Sequence, residues 1–346
     1  MASRQYTNED STAQIEEQIY QTHISDPSNQ LNIKVKKSRE FKFDKDWGIY
    51  PMLSNPKGLA LIINNENFSH NPGLVRLGSN VDVQNLEKLC KQLGFKVKTH
   101  KNLTREETLK AIEKITKDQW LKTTDMLMVF IMSHGKDKSI ICHDGLLLEN
   151  EEILSKFTCK ELKGKPKFII FNACRGEKKD EGESEYIMTD EEPTQQNVIQ
   201  SKDPIWQDML IVYSSIPGYV SFRDPTTGTR FIQTLVQVFM NNAWDKDLFT
   251  LLRDIGIEIN KIPHPYKQSI EYSIRGFDKK LYFNPGLNKN DFMETDGNIS
   301  GIKNVDHLEK DLNVTGSKKE DDLEKDNNAT GLTDFERAIL RKKRKK

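Results

Sequence analysis

The sequence predicts an α/β fold with a mostly parallel sheet whose two faces are covered by helices. Short runs that are apolar throughout alternate along the chain with amphipathic segments of helical period. Strands of this kind are buried on both faces, and their alternation with helices is typical of parallel sheets. In such sheets the reactive groups collect beyond the carboxyl ends of the strands, which is where a functional site is expected.

The individual elements follow from residue 58 onward. Strands are predicted at 58–65, 95–99, 125–132, 167–172, 209–214 and 280–284. Helices are predicted at 79–93, from 105 to about 117, and near 229–242 and 245–260. Ser79 is the expected cap of the first helix, and Thr104 and Glu107 form a capping box for the second.

Polar segments flank and interrupt this pattern. Residues 1–45, 176–205 and 287–346 are almost bare of apolar runs, in a chain of 346 residues that is 36% hydrophobic and 30% charged. The remainder, about 210 residues, suffices for one well-buried domain. The last polar segment repeats at intervals of 15 residues, which align Asp296, Asp311 and Asp326. A repeat this short and polar cannot bury a core, so a disordered tail is expected.

Charge and hydropathy exclude several classes of protein. The formal net charge is zero, so a general affinity for nucleic acid or membranes is not indicated, and no run approaches the roughly 18 apolar residues of a membrane span. The N-terminal residues lack the apolar stretch of a secretory signal, so a cytoplasmic protein with reduced cysteines is expected. The basic residues 341–346 leave three alternatives open: a nuclear address, a patch for an acidic partner, or a solubilising end.

Two predicted strands end in groups suited to nucleophilic catalysis. The strand at 125–132 runs into His134 and Gly135, and the strand at 167–172 runs into Cys174. If these strands are parallel neighbours, the imidazole and the thiol face each other at one edge of the sheet. An imidazole can activate a thiol by taking its proton, and the N–H groups of Gly135 and Cys174 would form an oxyanion hole. A histidine or a cysteine alone is more often a core residue, but the two together at strand ends, each near a glycine, favour catalysis.

A zinc site is the competing interpretation of the same histidine. Cys142 and His143 follow His134 closely in the sequence. However, the chain has no C-x₂-C pair, and adjacent residues of a strand point to opposite faces, so ligands at 142 and 143 would diverge. Neither a metal nor a cofactor is therefore predicted, and Cys90 and Cys159 are expected to be inert.

Six blocks of sequence follow one another in an order shared with a known family. They are LALIINNENF (59–68), VRLGSNVDVQNL (75–86), MSHGKD (132–137), NACRGE (172–177), YSSIPGYVSFRDP (213–225) and GTRFIQTLV (228–236). Together they resemble the caspases, cysteine peptidases that cleave after aspartate. The resemblance implies a caspase-like three-layer α/β sandwich with a mostly parallel central sheet of about six strands flanked by helices. It also implies that Cys174 is the nucleophile and His134 its proton partner.

The resemblance further implies how a substrate aspartate is recognised. The family reads that carboxylate with two arginines and a glutamine, and the matching positions are Arg76, Arg223 and Asn172. Two guanidinium groups in a dry pocket suit the capture of one carboxylate. Asn172 is one methylene shorter than the glutamine of the family, so weaker selection for aspartate over glutamate is expected.

Residues 220–223 resemble the strand edge with which the substrates of the family pair. Ser221, Phe222 and Arg223 are therefore expected to contact substrate. Phe222 stands where many members have Trp or Tyr, which preserves an apolar wall. Arg230 replaces a tryptophan of the family, and two alternatives stay open for it: it accepts an acidic residue of the substrate, or it is simply solvated.

The resemblance also implies a zymogen in several parts. The expected parts are a short disordered pro-peptide (1–46), a catalytic domain (47–286) and the disordered charged tail (287–346), with the domain divided into a large subunit (about 47–176), a linker (177–207) and a small subunit (208–286). An upstream caspase is expected to cleave the linker after Asp190 or Asp180, with Asp190 preferred. The short leader favours an executioner of apoptosis over an initiator, acting on protein substrates as a homodimer of cleaved subunits.

The alternative function is a catalytically silent caspase-like regulator that binds active caspases. Asn172 and Arg230 favour this alternative, because both depart from the family pattern. The retained thiol, imidazole and arginine pair argue against it, since a regulator would be free to lose them. A peptidase that cuts after Arg or Lys would need an acidic pocket, which Arg76 and Arg223 contradict.

Overall fold

The computed structural model describes residues 31–43, 48–180 and 206–288. Its strands, in chain order, are β1 (Gly58–Asn64), β2 (Phe95–Lys101), β3 (Met126–Met132), β4 (Gly135–Lys136), β5 (Ser139–Ile141), β6 (Leu147–Glu149), β7 (Lys167–Asn172), β8 (Met209–Tyr213), β9 (Arg223–Asp224), β10 (Gly228–Thr229) and β11 (Glu271–Arg275). Its helices are α1 (Ser79–Gln92), α2 (Arg105–Thr116), α3 (Trp120–Thr123), α4 (Asn150–Ser155), α5 (Arg230–Asn242) and α6 (Leu248–Lys261), with 3₁₀ turns at Pro72–Leu74, Lys156–Thr158 and Lys160–Leu162.

Six strands form one sheet in the order β11-β8-β7-β3-β1-β2. Five of them are parallel, and β11 pairs antiparallel with β8. A small sheet of β4, β5 and β6 and a ribbon of β9 and β10 lie outside the central sheet. The predicted fold class, a mostly parallel sheet of six strands flanked by helices, is confirmed.

Alternate residues of the central strands enter two separate cores. In β1, Ala60 and Ile62 belong to the core that contains the apolar faces of α1, α5 and α6. Leu59, Leu61 and Ile63 belong to the core formed with α2, α3 and α4. Because successive side chains of a strand point to opposite faces, a strand between two helical layers must be apolar at every position. That requirement explains the uninterrupted apolar runs in the sequence.

The two helix caps predicted from the sequence have different outcomes. The capping box of α2 is confirmed, because the Thr104 hydroxyl accepts the N–H of Glu107 and the Glu107 carboxylate accepts the N–H of Thr104. The prediction that Ser79 caps α1 is wrong, because the cap is Gly78, whose φ of 83° lies in the left-handed region. Ser79 is the first helical residue, and its hydroxyl accepts a hydrogen bond from Asn64 at 3.0 Å.

The last predicted strand, at 280–284, is wrong. Leu281 and Phe283 are buried in the core, but apart from a single bridge between Lys280 and Ile49 this segment pairs with no strand. The sixth strand is instead β11, whose Tyr272 and Ile274 are exposed. Burial of apolar side chains therefore marks a core position here without marking a strand.

Part of the predicted leader packs against the domain. Within residues 31–43, Ile33 and Val35 join the core, and the N–H of Lys36 donates to the carbonyl oxygen of Met240 at 2.9 Å. This segment therefore differs from the expected disordered pro-peptide, because its two apolar side chains reach the helical layer of α1 and α5.

Several predictions concern residues outside the described ranges. These are the first 30 residues of the leader, the linker at 181–205, which includes Asp190, and the tail at 289–346. None of the helices in the described ranges is long and apolar enough to cross a membrane.

Candidate active site

The strands β3 and β7 are parallel neighbours that end at the same edge of the sheet. Met132 pairs with Asn172 in their register, and the N–H of Ser133 donates to the carbonyl oxygen of Asn172 at 3.3 Å. His134 and Cys174 each lie two residues beyond this pair. The strand pairing that the sequence analysis required to bring the two residues to one edge is therefore present.

Gly135 allows the two strand ends to approach closely. A Cβ atom at this position would lie 2.5 Å from the carbonyl oxygen of Cys174 and 2.9 Å from the Cβ of Ala173. Both distances are well inside van der Waals contact, and the first is to backbone, which cannot move aside as a side-chain tip can. Any other residue at 135 would therefore push the histidine segment away from the cysteine segment.

We expect Gly135→Ala to lower peptidase activity by at least about 100-fold, because a shift of about 1 Å at the reacting groups costs that much. Overpacking of this kind should also lower the free energy of unfolding by about 1–3 kcal/mol. Steady-state cleavage and chemical denaturation measure the two effects. The matched control is Gly256→Ala in α6, where a Cβ meets nothing within 4 Å. It should stabilise the helix by up to about 1 kcal/mol, and a fully active Gly135→Ala would contradict the close approach.

The thiol of Cys174 lies on the backbone of Ser221. The N–H of Ser221 donates to the sulfur at 3.3 Å, and the thiol donates to the carbonyl oxygen of Ser221 at 3.7 Å. The sulfur therefore occupies both backbone hydrogen-bonding groups of the residue that was predicted to pair with substrate. In this conformation the thiol proton points to a carbonyl oxygen and not to an imidazole.

His134 is held by a backbone carbonyl that sequence reasoning did not identify. Its Nε2 lies 2.9 Å from the carbonyl oxygen of Leu74, and the ring of Phe68 lies 5.1 Å away. A carbonyl only accepts, so Nε2 carries the proton and Nδ1 has the free lone pair. Burial, and then the positive charges of Arg76 and Arg223, lower the pKa of His134 to about 4, although the hydrogen bond to the Leu74 carbonyl raises it. The imidazole is therefore neutral at pH 7, as a general base must be.

The two arginines predicted to bind substrate lie near one another beside this histidine. Arg76 is 2% exposed, and its Nη1 donates to the side-chain oxygen of Asn64 and to the carbonyl oxygen of Asn65, both at 2.9 Å. Arg223 is half-buried, and its Nε donates to the carbonyl oxygen of Leu77 at 2.8 Å. Burial, and then repulsion from Arg223, lower the pKa of Arg76 to about 9, so Arg76 remains cationic at pH 7.

Asn172 is buried at the end of β7, and its side chain is already engaged. Its Nδ2 donates to the hydroxyl of Thr229 at 2.9 Å, while its Oδ1 is buried without a hydrogen-bond partner. Its Nδ2 carries a second N–H group besides the one donated to Thr229. The contact predicted between this amide and a substrate carboxylate stays a prediction.

Phe222 forms one wall of an aromatic cluster. Its ring stacks on Tyr266 at 6.0 Å and tilts against His264 at 5.0 Å. The guanidinium of Arg230 lies 4.5 Å over the same ring and donates to the carbonyl oxygen of Tyr266 at 3.2 Å. A cation over an aromatic face is stabilised by the ring quadrupole. Contact of Arg230 with an acidic substrate residue and solvation of its half-buried side chain therefore both stay predictions.

The segment that follows the cysteine is hydrogen-bonded on both sides. The N–H of Lys178 donates to Gly218 at 3.0 Å, and the N–H of Val220 donates to Lys178 at 3.0 Å. Further on, the N–H of Lys267 donates to the carbonyl oxygen of Asp180 at 2.8 Å. The first residues of the linker thus pair with residues 218–220, which lead into the segment predicted to pair with substrate. The carbonyl group that would be attacked in a cut after Asp180 already accepts a hydrogen bond.

The remaining cysteines and the proposed zinc ligands have other surroundings. Burial raises the pKa of Cys90 to about 12 and that of Cys142 to about 11, so both thiols are protonated at pH 7. The Nδ1 of His143 bonds the carbonyl oxygen of Asn67 at 2.6 Å. Within the described ranges, no group of three or more His, Cys, Asp or Glu side chains is arranged to hold a metal ion.

Sequence reasoning missed four residues of the site besides Leu74. They are Asp82 and Thr229, which are hydrogen-bonded to one another near the two arginines, and Gln268 and Tyr266, which contact Phe222. Gln268 accepts the N–H of Phe222 at 3.2 Å and donates to the carbonyl oxygen of Ser214 at 2.7 Å. The prolines and aromatics of residues 263–268 form a turn signal that could have directed attention to this loop.

A mostly parallel six-stranded sheet, with a cysteine and a histidine at one edge of it, defines the class of α/β cysteine peptidases. The family comparison agrees, because the peptidase C14 family, the caspase domain, matches residues 57–282. The chain belongs to the caspase family, and it is a cysteine peptidase with specificity for aspartate.

Individual relatives cover the domain to different extents. The chain is 31% identical to caspase-3 of Bos taurus over 76% of this chain and 94% of that protein. It is 34% identical to caspase drICE of Drosophila melanogaster over 60% of this chain, and it spans 62% of the length of drICE. The crystal structure of caspase-1 from Spodoptera frugiperda superposes with a TM-score of 0.59 at 28% identity, over 70% of this chain and 96% of that one.

Proposed function

We propose that the chain is the zymogen of an executioner caspase, in which Cys174 is the nucleophile and His134 the general base. The observation that carries the proposal is the hydrogen bond between Nε2 of His134 and Leu74, at the sheet edge shared with Cys174. It leaves Nδ1 as the only ring nitrogen able to take a proton. A neutral imidazole with one fixed proton is the form that can activate a thiol at pH 7.

The proposed reaction follows from these positions. Nδ1 of His134 takes the thiol proton, and the sulfur of Cys174 attacks the carbonyl carbon of the scissile bond. The N–H groups of Gly135 and Cys174 stabilise the oxyanion that forms. The imidazolium then returns its proton to the departing amine, which breaks the C–N bond and leaves a thioester. Water, deprotonated by the same imidazole, hydrolyses the thioester to release the acid and the thiol.

The proposed pocket for the substrate aspartate is formed by Arg76 and Arg223. The two guanidinium groups repel one another, and a carboxylate bound between them would offset that repulsion by attracting both, so an anionic residue is favoured over a neutral one. Ser221 and Phe222 would pair with the substrate backbone and contact its side chains. Pairing at Ser221 requires the thiol of Cys174 to leave the backbone groups it now occupies, so the described conformation is a latent one.

A substrate profile of the purified, linker-cleaved protein tests this function. Fluorogenic tetrapeptides that end in Asp, Glu, Asn and Lys should be cleaved in that order of kcat/KM, with Lys not cleaved. A detectable rate for Glu is expected because Asn172 is shorter than the glutamine of the family. Failure to cleave the Asp peptide would leave the alternative, a silent regulator that binds active caspases.

We expect activation to begin with cleavage after Asp190. Both aspartates belong to the predicted linker, but the carbonyl oxygen of Asp180 accepts the N–H of Lys267, so a protease would first have to break that pairing to cut after Asp180. Asp190→Ala should therefore leave one long band on a gel after incubation with an active caspase. Asp180→Ala is the matched variant and should still be cut. Equal cutting of wild type and Asp190→Ala would contradict the assignment.

Caspase-family membership implies dimers of large and small subunits in general, and we propose β11 as the contact between the two copies. β11 is an edge strand of the sheet, so one row of its backbone groups is unpaired by the sheet itself. Its Ile274 and Tyr272 are 51% and 45% exposed. Large apolar side chains on an open edge favour strand-to-strand association with a second copy.

Ile274→Arg should weaken this dimer by at least about 100-fold, because it introduces a charge into the centre of an apolar contact. Analytical ultracentrifugation of the cleaved protein over a concentration series measures the shift. Ile257→Arg is the matched control, since Ile257 is 49% exposed and belongs to α6 and not to the edge strand. A control that dissociates the dimer equally, or an Ile274→Arg dimer of unchanged affinity, would exclude β11.

A further inference from the structure

Asp82 is a fully buried carboxylate in the first turn of α1. Both of its oxygens accept the N–H of Thr229 at 3.0 Å, and it has no exposed surface. Gly228, with a φ of 96°, makes this contact possible, since a Cβ there would lie 2.3 Å from an oxygen of Asp82. A longer side chain at 82 or any side chain at 228 would break the contact.

Thr229 connects this carboxylate to the other two parts of the proposed pocket. It pairs directly with Arg223 across the β9–β10 ribbon, and its hydroxyl accepts Nδ2 of Asn172 at 2.9 Å. Asp82 itself lies in the first turn of α1, six residues after Arg76, which precedes that helix. The hydrogen bond between Asp82 and Thr229 therefore joins the three segments that carry the two arginines and the asparagine.

The same bond crosses the boundary between the two predicted subunits. Asp82 belongs to the large subunit and Thr229 to the small one, so after linker cleavage it would join two separate chains. Once the covalent connection is cut, contacts of this kind fix where Arg223 lies relative to Arg76.

The carboxyl group of Asp82 also interacts electrostatically with the two guanidinium groups. Burial raises the pKa of Asp82 to about 7, while hydrogen bonds from Thr229 and the charges of Arg76 and Arg223 act in the opposite direction. A buried carboxylate without such partners would be costly. The hydrogen bonds from Thr229 and the two positive charges thus offset part of the cost of burying this carboxyl group.

We propose that Asp82 is a positioning residue of the aspartate pocket, which holds Thr229 and through it Arg223 and Asn172 in place for the substrate carboxylate. The inference rests on the proposed function of Arg76 and Arg223. It assigns Asp82 no contact with substrate, so its loss should affect binding of the aspartate more than the chemistry at the sulfur.

Asp82→Asn tests the proposal in the linker-cleaved protein. The variant removes the charge and one of the two acceptors of Thr229. We expect KM for the Asp-ended tetrapeptide to rise by about tenfold or more, with kcat within about threefold of wild type. Alkylation of Cys174 by iodoacetamide, which does not use the pocket, should keep its rate.

Asp125→Asn is the matched control for the loss of a buried carboxylate. Asp125 accepts the N–H groups of Leu53 and Ser54 at 2.6 and 2.7 Å, and it precedes β3 at the opposite edge of the sheet. Burial raises its pKa as well. It should lose thermal stability as Asp82→Asn does, and it should retain the wild-type KM.

A pair of variants at Thr229 keeps the test open if Asp82→Asn does not fold. Thr229→Val removes the hydroxyl that Asn172 bonds and should raise KM in the same way. Thr229→Ser keeps the hydroxyl and should have the KM of the wild type. An unchanged KM in both Asp82→Asn and Thr229→Val overturns the proposal. A rise in KM accompanied by a parallel fall in kcat and in the alkylation rate also overturns it. Absence of any cleavage by the wild type would instead overturn the proposed function.

Discussion

Replacing Cys174 by alanine is expected to reduce kcat for an Asp-ended peptide by at least about 10⁴-fold. In the proposed reaction the covalent intermediate forms on this sulfur, and without it the imidazole of His134 has no thiol proton to accept. Alanine fills less space than cysteine and removes two weak sulfur hydrogen bonds to Ser221, so the fold should persist. Cleavage of a fluorogenic peptide at saturating concentration measures the loss. The linker of the variant is first cut by an added protease, so that processing does not limit the rate.

The control for that experiment is Cys159→Ala. Cys159 is also a half-buried free thiol, but it lies before the 3₁₀ turn Lys160–Leu162, away from the sheet edge. Its removal should change kcat by less than about twofold, as surface substitutions usually do. If Cys174→Ala retained more than about 1% of the wild-type rate, catalysis could not depend on the thiol in the way described.

The placement of His134 and Cys174 at one edge of the sheet was predictable because it depends on strand pattern alone. Continuous apolar runs identified β3 and β7, and the residues after each run had to lie at one edge once the strands were parallel. Leu74 was not predictable in the same way. It acts on His134 through its backbone carbonyl, so its side-chain type carries no signal.

Asp82 shows a different limit of sequence reasoning. An acidic residue in the first turn of a helix is ordinarily a solvated group that favours the helix dipole. Only the packing of the β9–β10 ribbon against α1 buries it on Thr229. The prediction of the sixth strand was wrong for a related reason. β11 is polar and half-exposed, whereas the segment with Leu281 and Phe283 is apolar but does not pair as a strand.

Arg223→Gln is expected to lower kcat/KM for the Asp peptide by about 10²–10³-fold, because truncating one partner of a buried charge pair costs about 2–5 kcal/mol. Glutamine can still donate to the carbonyl oxygen of Leu77, the hydrogen bond that Nε of Arg223 makes. Preference for Asp over Asn should fall by a similar factor, since the carboxylate loses a positive charge. Competing cleavage of the two peptides in one reaction measures this preference directly.

Stability separates this effect from damage to the fold. Arg223 repels the buried guanidinium of Arg76 and helps lower its pKa, so removing Arg223 relieves a repulsion. The substitution also removes the attraction between Arg223 and the carboxyl group of Asp82, so the two effects oppose one another and the melting temperature of Arg223→Gln should stay close to that of the wild type. Arg223→Lys, which keeps the charge but not the planar fork, should fall between the two in kcat/KM. A loss of activity that follows a loss of melting temperature would contradict direct recognition of the carboxylate by Arg223.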